Sequence, residues 1–417
     1  MLLCGGKGME IHKKRWIYIL NGFIVLLFMG CGLAWSIFVV PVETAFHWTR
    51  DQTSLAFTIN IFCFSVGSIL AGVLSKRFSF SILLKASAIM MGIGFLGASL
   101  MNAVWQLYLS YGILVGVGIG LGYNCVISAC PLWLPEKEAT ATGILLMGYA
   151  LSTAIFGPLL NTLIESVGIV NTFRTLAILC GIGIFLGSIL LRQPSVDEAG
   201  QLPQVERPAG KKSYNVITSQ MIRKPIFWTY YLITVLFGGV GLIVINHCSP
   251  MLTEGLAMNA GAAALVISMT SIANGVSRFI WGVIFDKMGV SKCLSLIAGC
   301  FTLASIGLYV SFLYNITIIF IISACLLLFS YGGNAITCPS VIRELFGHRT
   351  FSLNYSVLAT DAVFTSCFPS IAGVVQVATQ GYQIPLMILV VVSVLSILTV
   401  IIFSKMYRKQ YETILSE

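Results

Sequence analysis

Charged side chains are scarce in this sequence: 24 Lys and Arg and 15 Asp and Glu make up only 9% of its 417 residues, whereas 57% are hydrophobic. A soluble domain carries about 25% charged residues, so this chain has roughly a third of the usual supply. Its mean hydropathy of +0.94 agrees. This composition excludes a soluble enzyme, a disordered protein and a secreted disulfide module. It predicts a membrane protein that crosses the bilayer many times.

Ligand sets and nucleophile motifs are also missing. The twelve cysteines are scattered without a C-x-x-C pair, so they are interpreted as small buried apolar residues. There is no G-x-S-x-G motif and no loop long enough for a nucleotide-binding domain. The four histidines, which haem ligation within the membrane would require, all lie at span ends or in loops: His12, His47, His247 and His348. We therefore expect no metal, no cofactor and no enzymatic activity.

What the sequence does contain is twelve apolar runs, each near the roughly 20 residues that cross about 30 Å of hydrocarbon. They cover residues 16–40, 53–75, 83–103, 108–131, 142–164, 172–192, 226–246, 262–285, 291–312, 316–338, 352–376 and 384–404. Because hydrocarbon leaves backbone groups no other partner, each run must be helical. The prediction is an all-α polytopic membrane protein with two six-helix bundles, 1–192 and 226–417, joined by a polar cytoplasmic linker at 193–225.

The basic residues are placed unevenly along the chain. If the N-terminus is cytoplasmic, 21 of the 24 Lys and Arg residues fall in inner segments. Arg50 and Arg174 fall outside, and Arg278 lies within a span. This bias predicts a cytoplasmic membrane protein with both termini inside. It also explains the net charge of +9 as a topology signal, so nucleic acid is not an expected partner.

The two halves echo each other at an offset of 210 residues, since Gly72 and Gly282 begin similar loops after the second and eighth spans. The second loop, with Gly282, Asp286, Lys287 and Gly289, resembles the G-x-x-x-D-R/K-x-G signature of the major facilitator superfamily. The resemblance implies two parallel six-helix repeats with a substrate site near the midplane. It also implies that these four loop residues stabilise one access state. The first copy has departed from the signature and has Lys76 and Ser79 at the acidic and second glycine positions.

Longer stretches are similar to the oxalate/formate antiporter family and its monocarboxylate-porter relatives. They are AWSIFVVPVETAFHWTRDQTSLAFTI, LWLPEKEATATG, QMIRKPIFWTYYL, NGVSRFIWGVIFDKMG and FGHRTFSLNYSVLAT. Because they are spread over nearly the whole chain, the resemblance implies a carrier for a small organic anion.

Only two charged residues lie well inside spans, where charge is costly and usually functional. Arg278 lies about 10 Å from the inner end of the eighth span and Asp361 about 13 Å from that of the eleventh, so both are expected slightly inside the midplane. Arg278 offers a planar fork that can hold a carboxylate bidentately. The alternative is a structural ion pair with Asp361. The similarity of N-G-x-S-R to the family segment whose arginine contacts the anion favours the first interpretation.

Asp361 has three possible uses: proton coupling, fixed pairing with Arg278, or contact with a substrate amine. Oxalate/formate antiporters resemble this stretch but carry a lysine about where Ala362 stands. Here the central charge is zero instead of plus two, which favours a monocarboxylate that moves with a proton. An exchanger of the oxalate/formate type and a ligand sensor without transport remain alternatives.

Other polar side chains within spans are further candidates for the site. Tyr123, Tyr149 and Tyr331 are expected either to line the site or simply to pack between helices. Asn274 lies one turn from Arg278 and is expected to orient it. Together these features predict a monomeric secondary transporter that moves a small organic acid, with a proton or a counter-anion, by alternating access.

Overall fold

The computed structural model describes residues 4–33, 35–203 and 215–416, with side chains except those of 4–14, 33, 36, 50–51, 260 and 410–416. In these ranges nine helical segments are long and apolar enough to span a membrane, and the first span consists of two shorter apolar helices. Two of the nine, Pro135–Leu190 and Gly261–Leu313, exceed 50 residues. At 1.5 Å per residue each is more than twice the thickness of the hydrocarbon, so each contains two spans.

The described segments therefore form twelve spans, named here helix 1 to helix 12. Helix 1 comprises Cys4–Gly30, a 3₁₀ turn at Cys31–Leu33 and Trp35–Phe46; helices 2 and 3 are Arg50–Leu74 and Phe80–Ala98; helix 4 comprises Val104–Leu107, a π-helical stretch at Tyr108–Val115 and Gly116–Ala129. Helices 5 and 6 share Glu138–Leu190 and divide at Gly168. Helix 7 is Pro225–Pro250, followed by Met251–Gly255; helices 8, 9 and 10 are Ala260–Met288, Val290–Leu313 and Thr317–Phe346; helix 11 comprises Phe351–Leu358, Asp361–Thr365 and Cys367–Thr379; helix 12 is Gln383–Ser416. The predicted all-α twelve-helix class is confirmed.

Helix 1 is broken, although the sequence predicted one continuous span over 16–40. Side chains supply the hydrogen bonds that the break would otherwise leave unmade in hydrocarbon. The Tyr111 hydroxyl donates to the Gly32 carbonyl at 2.7 Å, and the Cys180 thiol donates to the Phe28 carbonyl at 3.5 Å. The break is thus stabilised by helices 4 and 6.

The linker between the halves begins with a short helix, Val196–Gln201, and residues 204–214 of the predicted linker lie outside the described residues. Arg192 lies over the rings of Tyr18 and Trp133, at 5.2 and 5.0 Å, and pairs with Glu198 at 2.5 Å. The hydrogen bond from Arg192 holds the pKa of the Glu198 carboxyl at about 2, below its usual 4.5. The stabilisation of the fold by the Arg192–Glu198 ion pair is therefore complete above about pH 4.5 and is lost as the pH falls toward 2.

The chain divides into two compact units, Met1–Val205 with Thr350–Ala359, and Glu206–Arg349 with Thr360–Glu417. The linker was predicted to separate the two bundles, and the division falls within it. Residues 350–359 were predicted to belong to the C-terminal bundle, yet they group with the first unit. Helix 11, predicted as one continuous span, is interrupted at Ala359 and Thr360, where the chain passes from one unit to the other.

A buried cluster of hydrogen bonds centred on Asn124 of helix 4 holds this segment in the first unit. The Asn124 amide donates to the Ser68 hydroxyl at 2.9 Å and to the Ser352 carbonyl at 3.0 Å. Its carbonyl accepts from the Ser352 and Ser128 hydroxyls at 2.6 and 3.0 Å. Nearby, a side chain at Gly72 would meet the backbone of Leu353 at 2.6 Å, so glycine allows helix 2 to pack closely against the same segment.

Asn124→Ala is expected to lower the melting temperature of the purified protein. The truncation removes the Asn124 partner from buried groups of Ser68, Ser128 and Ser352, and two groups left unsatisfied at roughly 1–2 kcal/mol each would cost about 2–4 kcal/mol. Asn246→Ala is the matched control, because the Asn246 side chain is exposed and bonds only within its own helix, to the Leu242 carbonyl. Equal melting temperatures for the two variants would show that the Asn124 cluster does not hold the segment.

Candidate functional site

The two intramembrane charges lie at matching depth in the second unit. Arg278, only 9% exposed, stands ten residues before the end of helix 8 at Met288, and Asp361 stands ten residues after the start of helix 11 at Phe351. Both offsets correspond to about 15 Å along a helix, which is half the thickness of the hydrocarbon. Helices can extend beyond the hydrocarbon, so the expected position slightly inside the midplane stays a prediction.

Tyr331 of helix 10 lies close enough to both Arg278 and Asp361 to interact with each electrostatically. Its ring packs directly on helix 7, since a side chain at Gly241 would collide with the ring carbons of Tyr331. Tyr331 is only partly buried. The structure therefore places Tyr331 near both Arg278 and Asp361. The absence of a side chain at Gly241 leaves the space that the Tyr331 ring occupies.

The carboxyl group of Asp361 is turned toward helix 7. It lies near the Thr234 hydroxyl, which itself donates to the Tyr231 carbonyl at 2.9 Å, and near the Ala362 backbone amide. Within the described residues it forms no ion pair, so the pairing with Arg278 that the sequence left open is absent in this structure.

Groups that can titrate surround Asp361 on two helices. Tyr230 and Tyr231 of helix 7 and Tyr331 and Cys338 of helix 10 all lie within electrostatic range of its carboxyl group. The Tyr231 hydroxyl is hydrogen-bonded to Thr360 at 2.9 Å, next to the break. Tyrosine and cysteine are weak acids that are neutral at physiological pH. These four neighbours therefore place no second negative charge beside Asp361.

Asn274 and its neighbours fix the face of helix 8 that carries Arg278. Ser277 donates to the Asn274 carbonyl at 2.8 Å, and a side chain at Gly332 would clash with both, so helices 8 and 10 pack very closely here. One turn further inward, the Trp281 indole donates to the Phe329 carbonyl at 2.9 Å. The side-chain oxygen of Asn274 is buried and accepts no hydrogen bond from the described residues. The amide therefore retains hydrogen-bonding capacity for a bound molecule.

The two tyrosines predicted in the first half lie together in the first unit. The rings of Tyr123 and Tyr149 meet edge to face with centroids 5.1 Å apart, and Phe64 and Tyr355 lie 5.3 and 6.5 Å from Tyr123. Tyr123 is 7% exposed, whereas Tyr149 is more open. The structure thus places both tyrosines in one aromatic cluster. Their rings pack against neighbouring aromatic rings, as the packing interpretation predicted.

Trp35 of helix 1 is a further candidate, which the sequence analysis did not single out. It is 4% exposed and stacks on Tyr111 with centroids 4.3 Å apart. Its indole nitrogen is buried and has no hydrogen-bond partner among the described residues, whereas a buried tryptophan N–H usually finds one. No local sequence pattern predicts this donor, because its burial depends on packing against Tyr111 of another helix.

The loop signature is explained by backbone geometry at its last residue. Gly289 ends helix 8 with φ 74°, a left-handed conformation that favours glycine. The exposed Asp286 lies within electrostatic range of Cys293 at the start of helix 9. The corresponding loop after helix 2 has Ser79 in place of this glycine. Ser79 has φ −68°, and its hydroxyl accepts a hydrogen bond from the Ile82 amide, so it caps helix 3.

Comparisons with known proteins agree with this architecture. The family model described as Major Facilitator Superfamily matches residues 20–360, more than four fifths of the chain. The oxalate:formate antiporter of Oxalobacter formigenes is 25% identical over 391 residues, covering 93% of this chain and 91% of the relative. The MFS-type transporter YhjX of Escherichia coli is 25% identical over 347 residues, covering 83% and 84%.

A solved structure of the proton:xylose symporter XylE bound to 6-bromo-6-deoxy-D-glucose superposes with a TM-score of 0.72 at 15% identity, covering 93% of this chain and 95% of that one. At this identity the likeness concerns the fold alone. The fold and the family match support a multi-pass transporter of a small molecule rather than an enzyme. This chain belongs to the major facilitator superfamily.

Proposed function

We propose that this transporter moves a small organic monocarboxylate, coupled to a proton. The observation that carries the proposal is a cluster of three residues in the second unit, called here the midplane cluster: Arg278, Asp361 and Tyr331. Arg278 is nearly buried, and Tyr331 lies within electrostatic range of both charged residues. Arg278 binds the carboxylate through its planar guanidinium, which matches two carboxylate oxygens at once. Asp361 binds the proton, and Asn274 and Tyr331 add neutral hydrogen bonds.

The local charge supports a monoanion over a dianion. Arg278 supplies one positive charge, and Asp361 offsets it when ionised. A dicarboxylate would leave its second charge without a cation, and an unpaired charge in a low-dielectric site is costly. Protonation of Asp361 removes the opposing charge and favours binding of the anion at Arg278, which couples the two ligands.

The remaining site residues have supporting roles in the proposal. Tyr123 and Tyr149 contribute hydroxyls and apolar ring surface to substrate binding. Gly282, Asp286, Lys287 and Gly289 stabilise one access state of the transport cycle from the inner face. The protein acts as a monomer in the cytoplasmic membrane.

A thermal-shift screen of the purified protein against mono- and dicarboxylates at pH 5.5 and 7.5 tests the proposal. We expect monocarboxylates to raise the melting temperature, with a larger shift at the lower pH because the protonated acid favours binding. A larger shift with oxalate than with formate or acetate, independent of pH, would contradict it. Uptake by proteoliposomes then separates a carrier from a ligand sensor, which would bind without flux.

Exchange of a dicarboxylate for a monocarboxylate is the second candidate, favoured by the similarity to the oxalate:formate antiporter. Counterflow distinguishes the two functions. An exchanger takes up labelled substrate only when its vesicles are loaded with an anion, whereas a proton-coupled carrier fills empty vesicles when a pH gradient is imposed.

Orientation is a separate prediction. A reporter fused after Arg223 is expected in the cytoplasm and one fused at Glu254 outside, because these residues flank helix 7 and the basic residues favour the inner side. Alkaline phosphatase and green fluorescent protein fusions report the two compartments. Finding both positions on one side would refute the twelve-span topology.

A further inference from the structure

A basic groove lies at the ends of helices 9 and 12, away from the midplane cluster. Its volume is about 620 Å³, and its lining consists of Ser295, Ile401, Ser404, Lys405, Arg408 and Lys409. All of these residues belong to the second unit, and none takes part in the proposed carboxylate site.

Helical spacing explains why the groove side of helix 12 faces outward. Residues 401, 404, 405 and 408 recur at intervals of three and four and so share one face. The opposite face carries Phe403 and Tyr407: the Phe403 ring packs against Tyr230 with centroids 5.5 Å apart, and the Tyr407 hydroxyl donates to Glu344 at 3.3 Å. Helix 12 therefore uses one face for packing and turns the basic face away from the core.

The groove offers hydrogen-bond donors that the protein does not use. Lys405 and Arg408 are exposed, and neither pairs with an acidic side chain in the described part of the chain. The Ser404 hydroxyl is buried and has no hydrogen-bond partner among the described residues. Ser295 differs, since its hydroxyl already donates to the Ser291 carbonyl at 2.9 Å. Two cations and one unused hydroxyl thus point to an oxyanion.

The position of the groove at the membrane boundary narrows the class of that anion. The apolar run of helix 12 ends at residue 404 and the basic residues begin at 405, which is where lipid headgroups lie. On the apolar side, the groove is lined by Ile401, which is 46% exposed, and the exposed side chain of Leu398 lies one turn further along helix 12. A ligand here meets charge at one end and hydrocarbon at the other.

We propose that this groove binds an anionic phospholipid of the inner leaflet, with its phosphate on Lys405, Arg408 and the Ser404 hydroxyl. Basic pockets between helices on the cytoplasmic side are suited to such headgroups, and the acyl chains lie against the exposed leucine and isoleucine side chains. The shared chemistry is a phosphate oxyanion, which free phosphate could also supply. The apolar wall favours the lipid.

Native mass spectrometry of the purified full-length chain in neutral detergent tests this site, with phosphatidylglycerol, phosphatidylcholine and inorganic phosphate as separate probes. We expect tight binding of phosphatidylglycerol only. The Lys405→Gln/Arg408→Gln variant should bind it roughly thirtyfold more weakly, at about fivefold for each basic residue. The matched control is Lys76→Gln/Arg77→Gln, which removes the same charge from an exposed loop after helix 2 and should bind as wild type does.

Ser404→Ala provides a second test with less risk to folding, and it should weaken phosphatidylglycerol binding about fivefold through loss of one hydrogen bond. The proposal is overturned if both groove variants bind this lipid like wild type, or if the loop control loses as much as the groove double variant. It is also overturned if inorganic phosphate binds as tightly as the lipid, which would assign the groove to free phosphate.

Discussion

Arg278→Gln is expected to reduce uptake of the transported carboxylate by proteoliposomes about a hundredfold. The substitution removes a charge-assisted, bidentate interaction from a nearly buried position, where a loss of about 3 kcal/mol is typical. Arg278→Lys keeps the charge but loses the fork, so it should retain roughly a tenth of the affinity of wild type. Reconstituted uptake and the thermal shift by the same acid measure both effects.

Membrane insertion and yield should be unchanged in these variants, because the apolar residues of the spans determine insertion. Arg174→Gln is the matched control: it removes one positive charge from an exposed arginine whose guanidinium bonds to Asn171 at 3.0 Å. Uptake by Arg278→Gln at rates near those of Arg174→Gln would reject the assignment of the carboxylate site.

Asp361→Asn is expected to abolish accumulation driven by a proton gradient while preserving substrate binding. Asparagine mimics the protonated carboxyl group, and its amide keeps a neutral polar group of similar size near Thr234. Since the neutral form is the one proposed to bind substrate, wild-type uptake should rise as the external pH falls. In the variant it should be independent of pH, and accumulation should fall to the equilibrium level.

The absence of an Arg278–Asp361 ion pair sharpens this prediction. A purely structural pair would make the variant unstable, because breaking a buried pair costs about 3–5 kcal/mol. In the described structure Asp361 faces Thr234 instead, so Asp361→Asn should melt within a few degrees of wild type. Glu254→Gln, an exposed acid at the far end of helix 7, controls for loss of a negative charge. Accumulation by Asp361→Asn that still followed pH as in wild type would exclude the proton role.

Asp361 directly follows a segment of the first unit in the chain. Helix 11 is interrupted at Ala359 and Thr360, immediately before this residue, and the preceding segment is held by the Asn124 cluster.

Composition and apolar pattern were sufficient to predict the membrane setting, the number of spans and the two rare intramembrane charges. Hydrocarbon excludes charge and requires helices, so twelve apolar runs could be located from composition alone. For the same reason Arg278 and Asp361 stood out among 417 residues. The loop glycine at 289 was also found by pattern, because a left-handed residue strongly favours glycine.

Tertiary structure alone decided where those side chains point. Asn124 and Ser352 are 228 residues apart in the chain yet share a hydrogen bond, and no local pattern predicts such a contact. At the breaks in helices 1 and 11, distant side chains bond to backbone carbonyls: Tyr111 donates to Gly32, and Ser65 donates to Ala359. The surroundings of Asp361 and of the buried Trp35 indole also depend on neighbours brought together only by folding.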